Sequence, residues 1–139
     1  MSAEFRWKVR TVLAALTLPP LLSAVSFARL ARWVGRRRPA PTPPPPESDL
    51  AEWTEMILRR LPPPWRYTCL KRGIVLYYLL KKSGREVTLH IGVRRDAAGA
   101  FLAHAWLARH GALFLEPASN RPDQYRIIAS FPEAVPAEP

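Results

Sequence analysis

From residue 47 onward, apolar residues recur first at the spacing of a helix and then at the spacing of a strand. The apolar positions of the earlier segment lie three or four residues apart: Leu50, Trp53, Ile57 and Leu61. This spacing predicts an amphipathic helix over Glu47–Leu61, which the following prolines end. A second helix is predicted over Cys69–Lys82, capped by Thr68 and ended at Ser83. Because this second helix is apolar over most of its length, we expect it to be central.

Strand spacing follows the helices. Alternate residues of Glu86–Arg95 are aliphatic, and similar patterns over Phe101–Arg109, Ala112–Glu116 and Tyr125–Phe131 are separated by turn residues. They predict an antiparallel meander of about four strands. Helices followed by a meander indicate the α+β fold class, with the central helix packed on the sheet. The tail, residues 132–139, is expected to be disordered.

An apolar run of 18 residues, Thr11–Ala28, lies near the start of the chain between basic residues on both sides. Pro19 and Pro20 interrupt its middle, and proline breaks helices because it lacks an N–H group. We therefore expect two short amphipathic helices that meet at the prolines and lie on a lipid surface or on a partner protein. A membrane span and a signal peptide are the alternatives.

Six of the eight residues from Pro39 to Pro46 are proline, which predicts an extended linker. The linker would separate a basic N-terminal segment, residues 1–38, from a folded domain over residues 47–131. The N-terminal segment would contact a membrane or a partner. On this interpretation the domain folds without the N-terminal segment.

The net charge of +10 is concentrated at the N-terminus, where residues 1–38 hold eight basic residues and one acidic residue. The predicted sheet domain lacks a basic stripe with interleaved aromatics, which argues against a nucleic-acid module. A single cysteine excludes an intramolecular disulfide and a thiolate zinc cluster, and fits the cytoplasm better than secretion. We expect no cofactor, and no phosphate-binding loop is present.

Cys69 is the first candidate for chemistry, because it begins the predicted central helix. Unpaired N–H groups and the positive end of the helix dipole favour a thiolate there, and Lys71 and Arg72 add positive charge. The alternative interpretation, without a chemical role, is that Cys69 is a small buried side chain that packs on the sheet.

A nucleophilic thiol needs a base, and the chain has three histidines. His110 lies in a turn, and His90 lies on a strand face that we expect to be exposed. His104 is enclosed by apolar residues, so it should be partly buried and should need a hydrogen-bond partner. It is either the base or a satisfied core histidine.

The register of the last hairpin suggests the partner. A turn of three residues, 109–111, would set His104 opposite Glu116 and keep one sheet face aliphatic. A turn of two residues would set His104 opposite Pro117 instead. On this ground Glu116 is the predicted residue that orients His104.

Three segments together resemble a known family: Cys69–Arg72 (CLKR), Leu89–Arg94 (LHIGVR) and Ala103–Leu107 (AHAWL), followed by Gly111. They are similar to the transglutaminase-like domain of lasso-peptide maturation B proteins, over residues 50 to 131 or so. The resemblance implies a papain-like cysteine peptidase with Cys69 as nucleophile and His104 as base. The third residue of the family is commonly aspartate, so Asp123 is an alternative to Glu116.

The resemblance also implies a function and partners. The protein would remove the leader from a ribosomally made precursor peptide, beside a leader-recognition protein and a lasso cyclase. It would act in the cytoplasm, with possible membrane contact through residues 11–34. Two other functions stay open: an acyltransferase or transamidase that uses the same residues, and a non-catalytic membrane-associated adaptor.

Overall fold

The computed structural model describes residues 2–36, 38–63, 65, 67–116 and 122–132. Within them the chain forms four α-helices and one sheet of four antiparallel strands, which confirms the α+β prediction. The elements are α1 (Ala3–Ala24), α2 (Phe27–Gly35), α3 (Glu47–Arg60), α4 (Cys69–Lys82), β1 (Thr88–Arg95), β2 (Phe101–Arg109), β3 (Ala112–Leu113), a short 3-10 helix (Pro122–Gln124) and β4 (Arg126–Phe131). The tail predicted to be disordered lies outside the described residues, apart from Pro132.

Helix α4 has the predicted bounds and is central. It begins at Cys69 because the hydroxyl of Thr68 accepts a hydrogen bond from the N–H of Lys71 at 3.2 Å. Gly73 lets the helix approach the sheet closely. A Cβ atom at this position would lie 3.2 Å from Leu89 Cδ1 and 3.3 Å from Ala105 Cβ. The helix therefore packs on the sheet face that carries Leu89 and Ala105.

The strand order is β3-β2-β1-β4, which corrects the predicted meander. Strand β4 pairs with β1, beginning with Leu89 opposite Phe131, rather than continuing from β3. Strand β3 has two residues and pairs with the end of β2 alone. Such a short strand offers β4 little backbone to pair with, whereas β1 offers a long edge.

Helix α1 runs 22 residues through Pro19 and Pro20, so the predicted break at the prolines is wrong. Pro20 has no N–H group to donate to the carbonyl oxygen of Leu16, four residues earlier. Trp65, in the connection between α3 and α4, donates its indole N–H to that oxygen at 2.9 Å. The break falls at Val25 instead, and α2 follows. No helix in the described residues is both long enough and apolar enough to cross a membrane.

The N-terminal helices share one hydrophobic core with α4 and the sheet, so the predicted isolation of residues 1–38 is wrong. The buried core includes residues from α1, α2, α4 and the strands: Trp7, Leu18, Leu30, Val34, Ile74, Leu79, Leu89 and Leu107. The proline-rich stretch lies against the end of α4. Its Ala40 donates an N–H to the carbonyl of Lys82 at 2.7 Å. The prolines therefore connect two parts of one core, because the apolar faces of α1 and α2 are buried against α4.

Candidate active site

Cys69 is the first residue of α4 and is a free, partly exposed thiol. Residues four apart share one face of a helix, so Cys69 lies one turn before Gly73 on the side of α4 that packs against the sheet. The N–H groups of the first helical turn have no partner within the helix and point toward this end. The structure therefore places the predicted nucleophile where a developing negative charge meets backbone donors.

The turn between β2 and β3 has two residues, His110 and Gly111, and the predicted three-residue turn is wrong. Two pairs fix the register: Ala108 opposite Leu113 and Arg109 opposite Ala112. Both turn residues have positive φ angles, 52° and 79°. A two-residue turn with positive φ at both positions suits the twist of a hairpin. The His-Gly pair was the sequence signal for this turn.

The new register removes the reason for placing Glu116 opposite His104. Strand β3 ends at Leu113, and Phe114 still donates its N–H to the carbonyl of Leu107 at 3.0 Å. Leu115 has a φ of 58°, which turns the chain out of the ladder. Pro117, which a two-residue turn would set opposite His104 in a longer strand, lies outside the described residues. Strand β3 is therefore shorter than the predicted strand over residues 112–116.

Glu116 instead pairs with Arg72, and both side chains are 4% exposed. Glu116 Oε2 accepts from Arg72 Nη1 at 2.5 Å and from the N–H of Leu107 at 3.4 Å. Arg72 also donates to Glu55 Oε1 at 2.8 Å and to the carbonyl of Leu115. Arg72 thus ties α4 to α3 and to the segment after β3. The sequence suggested only that Arg72 adds charge near Cys69.

His104 is partly buried, as predicted, and packs within an aromatic cluster. Its ring centroid lies 5.6 Å from that of Trp106, in a stacked arrangement, and 5.1 Å from that of Tyr125. Successive side chains of a strand point to opposite faces. Because Ala105 points toward α4, His104 points to the other face of the sheet. Tyr125 could not be found from the sequence, since its approach depends on β4 pairing with β1.

His90 lies in the same cluster, on the strand beside His104. It is partly buried rather than exposed as expected, with its ring centroid 5.7 Å from Trp106. Its Nδ1 and the hydroxyl of Ser130 are hydrogen-bonded at 2.7 Å. Burial lowers the pKa of His90 from its usual 6.5. His110, in contrast, is exposed in its turn, as predicted.

Asp123 lies in the 3-10 helix, two residues before Tyr125, and its side chain is exposed. It therefore belongs to the segment whose tyrosine packs on His104. Glu116 belongs to the segment that Arg72 holds on the side of α4. Of the two acidic residues predicted from the sequence, Asp123 is therefore the one whose segment reaches the His104 ring.

Comparisons with known proteins identify one relationship. A family model described as the transglutaminase-like superfamily matches residues 14–130, on both sides of the proline-rich stretch. Searches of curated proteins and of solved structures gave no match. In the described residues, no group of three or more His, Cys, Asp or Glu side chains could hold a metal ion.

Proposed function

Because the chain belongs to the transglutaminase-like superfamily, which typically uses cysteine-based peptidase or transglutaminase chemistry, we propose that it is a cysteine leader peptidase. Its substrate class is a ribosomally made precursor peptide, as in lasso peptide maturation. The observation that carries the proposal is Cys69, a partly exposed thiol at the first turn of the central helix. A thiol in that position is the nucleophile of papain-like and transglutaminase-like enzymes.

The reaction follows from the chemistry of a thiol and an imidazole. His104 takes the proton of the Cys69 thiol, and Sγ attacks the carbonyl carbon at the leader–core junction. The backbone N–H groups at the start of α4 stabilise the oxyanion. The amine of the core takes a proton from His104 and leaves, so the leader is held as a thioester. Water, deprotonated by His104, then releases the leader and frees the thiol.

The proposal requires the imidazole of His104 to approach Cys69 around the edge of β2. Strand β3 pairs with the last two residues of β2, so none of the described strands covers the edge beside His104. The His104 ring lies on the other face of the sheet from α4, so the imidazole would have to turn toward the thiol when substrate binds. Substrate that lies along this edge would bridge the thiol and the histidine.

We assign Asp123 rather than Glu116 as the residue that orients His104. Asp123 is in the segment that brings Tyr125 against the His104 ring. Glu116 is engaged by Arg72, which is buried and already shares its charge with Glu55. The aspartate also matches the residue type that the lasso B proteins commonly use.

The proposed partners follow from the same function. A leader-recognition protein would deliver the precursor, and a lasso cyclase would use the freed amine of the core. The site of action would be the cytoplasm. Neither nucleic acid nor a cofactor takes part in the proposed reaction.

The experiment is cleavage of a leader–core peptide by the full chain with its leader-recognition protein, followed by mass spectrometry. Cys69→Ala should abolish both products and leave the melting temperature near that of the parent chain. His104→Ala should lower turnover at least about a hundredfold. Its matched control is His110→Asn, because His110 is exposed and asparagine tolerates its positive φ.

Three results of this experiment would contradict the proposed peptidase, and two of them would indicate another function. Cleavage by Cys69→Ala would refute the proposal. Transfer of the leader to an added amine, with little hydrolysis, would indicate a transamidase. An intact precursor with the parent chain, together with a thiol that resists iodoacetamide, would indicate a non-catalytic adaptor.

A further inference from the structure

Helix α1 is apolar on the side that faces away from the core as well as on the side that is buried. Its buried side carries Trp7, Ala14 and Leu18. The opposite side carries a continuous row of exposed apolar residues at helical spacing: Phe5, Val9, Val12, Leu13 and Leu16. Phe5 is 50% exposed and Leu13 56%. We call this row the outer α1 face. A helix that is apolar on two opposite sides is normally covered on both.

Basic residues border the outer α1 face. Arg6 and Arg10 lie along one side, where they line a cavity of about 410 Å³ together with Leu21 and Trp33. Trp33, on α2, is 47% exposed. The other exposed residues of α2, Arg29 and Arg32, are also basic, and so is Arg36 directly after the helix. The apolar row therefore lies at the edge of a positively charged surface formed by two helices.

We propose that the outer α1 face lies on an anionic lipid bilayer, with α1 parallel to the membrane surface. Apolar side chains would enter the boundary between headgroups and acyl chains, while arginines contact lipid phosphates. Trp33 would sit at headgroup level, where tryptophan is favoured. This orientation follows from the exposed row along one side of α1.

The distribution of charge favours a lipid surface over two other occupants of the outer α1 face, a second copy of the chain and an acidic partner helix. A second copy of the chain would bring the arginines of both copies together, which is unfavourable. An acidic partner helix would cover the cavity lined by Arg6 and Arg10, whereas Arg29 lines a second cavity, with Val25 and Leu30. A planar anionic surface meets the basic residues of both helices at once.

The test uses the full chain and sedimentation with vesicles of phosphatidylcholine, with or without added phosphatidylglycerol. We expect strong binding to the anionic vesicles, weak binding to the neutral ones, and weaker binding at high salt. Changing Phe5 and Leu13 to serine together should lower the partition coefficient at least about tenfold, because two large apolar side chains no longer leave water. Arg6→Gln should reduce the preference for anionic lipid.

The matched control is Ile128→Ser, which removes an apolar side chain of similar exposure, 59%, on β4. It should bind vesicles as the parent chain does. Melting curves of all variants would show whether they are folded. Equal binding to neutral and anionic vesicles, or full binding by the serine variant, would overturn the proposal. A monomeric protein that does not bind vesicles would also overturn it and would indicate a partner protein as the occupant. A dimer that dissociates when Phe5 and Leu13 are changed to serine would indicate a second copy of the chain.

Discussion

Arg72 and Glu116 form a buried ion pair one helical turn from Cys69, with Arg72 Nη1 and Glu116 Oε2 2.5 Å apart. Two charges that are almost excluded from water stabilise a fold only while both are present, because an unpaired buried charge is costly. The pair joins α4 to the segment after β3. The pair therefore holds the segment after β3 against α4, close to Cys69. Glu116 is buried because it forms this pair.

Breaking this pair should destabilise the fold strongly. Arg72→Met leaves the carboxylates of Glu55 and Glu116 without their shared cation, and should lower the free energy of unfolding by about 3–5 kcal/mol. Urea denaturation would measure the loss. The control is Lys8→Met, which removes the exposed pair with Glu4 and should cost at most about 1 kcal/mol. Similar losses in the two variants would contradict the structural role of Arg72.

Substitutions of Asp123 and Glu116 should differ in whether they affect turnover or stability. Asp123→Asn should lower turnover at least about tenfold with little change in melting temperature, because the residue is exposed and would act by orienting His104. Glu116→Gln should lower the melting temperature because it weakens the pair with Arg72. At temperatures below its melting transition, the turnover of Glu116→Gln should change much less than that of Asp123→Asn. The reverse pattern would return Glu116 to the role of orienting residue.

Removing residues 1–46 should unfold the protein or lower its stability by several kcal/mol, since the cut takes away α1 and α2 from the shared core. A milder form of the same test is Trp7→Ala. Trp7 is 1% exposed, so its truncation should cost about 3–5 kcal/mol by chemical denaturation. Phe5→Ala, half exposed on the same helix, is the control. A stable fragment beginning at Glu47 would show that α1 is dispensable.

Gly92→Ala should disturb the ring cluster that holds His104. The new Cβ would lie 2.8 Å from Trp106 Cη2 and from Tyr125 Cβ, which is too close, so the rings must shift. We expect a stability loss of about 1–3 kcal/mol and a fall in kcat/KM. Gly99→Ala is the control, because its φ of 85° also strains an alanine but no atom lies within 4 Å. If Gly92→Ala and Gly99→Ala lost activity equally, both losses would result from lower stability rather than from displaced rings.

Stability should decrease on the acid side because of His90. Its pKa is lowered by burial, so the folded protein binds this proton less readily than the unfolded chain. The stability contributed by the neutral ring is complete above the usual 6.5 and is lost as the pH falls through the folded pKa. Melting temperatures from about pH 7 to about pH 5 should fall less steeply in His90→Gln than in the parent chain. His110→Asn should keep the parent slope.

The sequence predicted the elements that local signals determine. The bounds of α4 follow from the cap at Thr68 and the stop at Ser83, and those of β2 follow from its apolar pattern. The register of the β2–β3 turn was predicted from burial, although the φ preference of His110–Gly111 decides it. Strand order and the site of Glu116 could not be predicted, because both depend on contacts between distant segments.

The N-terminal half shows the same limit in another form. Pro19 and Pro20 predicted a broken helix, since proline removes hydrogen bonds that a helix needs. The structure compensates with a donor, Trp65, that lies far along the chain. Similarly, an apolar run beside a proline-rich stretch predicted a peripheral segment, although its apolar side is buried in the core. Local pattern alone does not identify such partners.

The hydrogen bond from Trp65 to the carbonyl of Leu16 makes α1 and the loop before α4 thermodynamically linked. Trp65 lies four residues before Cys69, so α1 helps to hold the approach to the nucleophile. If a bilayer shifts α1, the ordering of that loop changes, and with it the affinity for a peptide at Cys69. Linkage is reciprocal, so a bound precursor must alter membrane affinity by the same factor. In a protein attached in this way, the affinity for the membrane and the affinity for the precursor would change together, whichever ligand binds first.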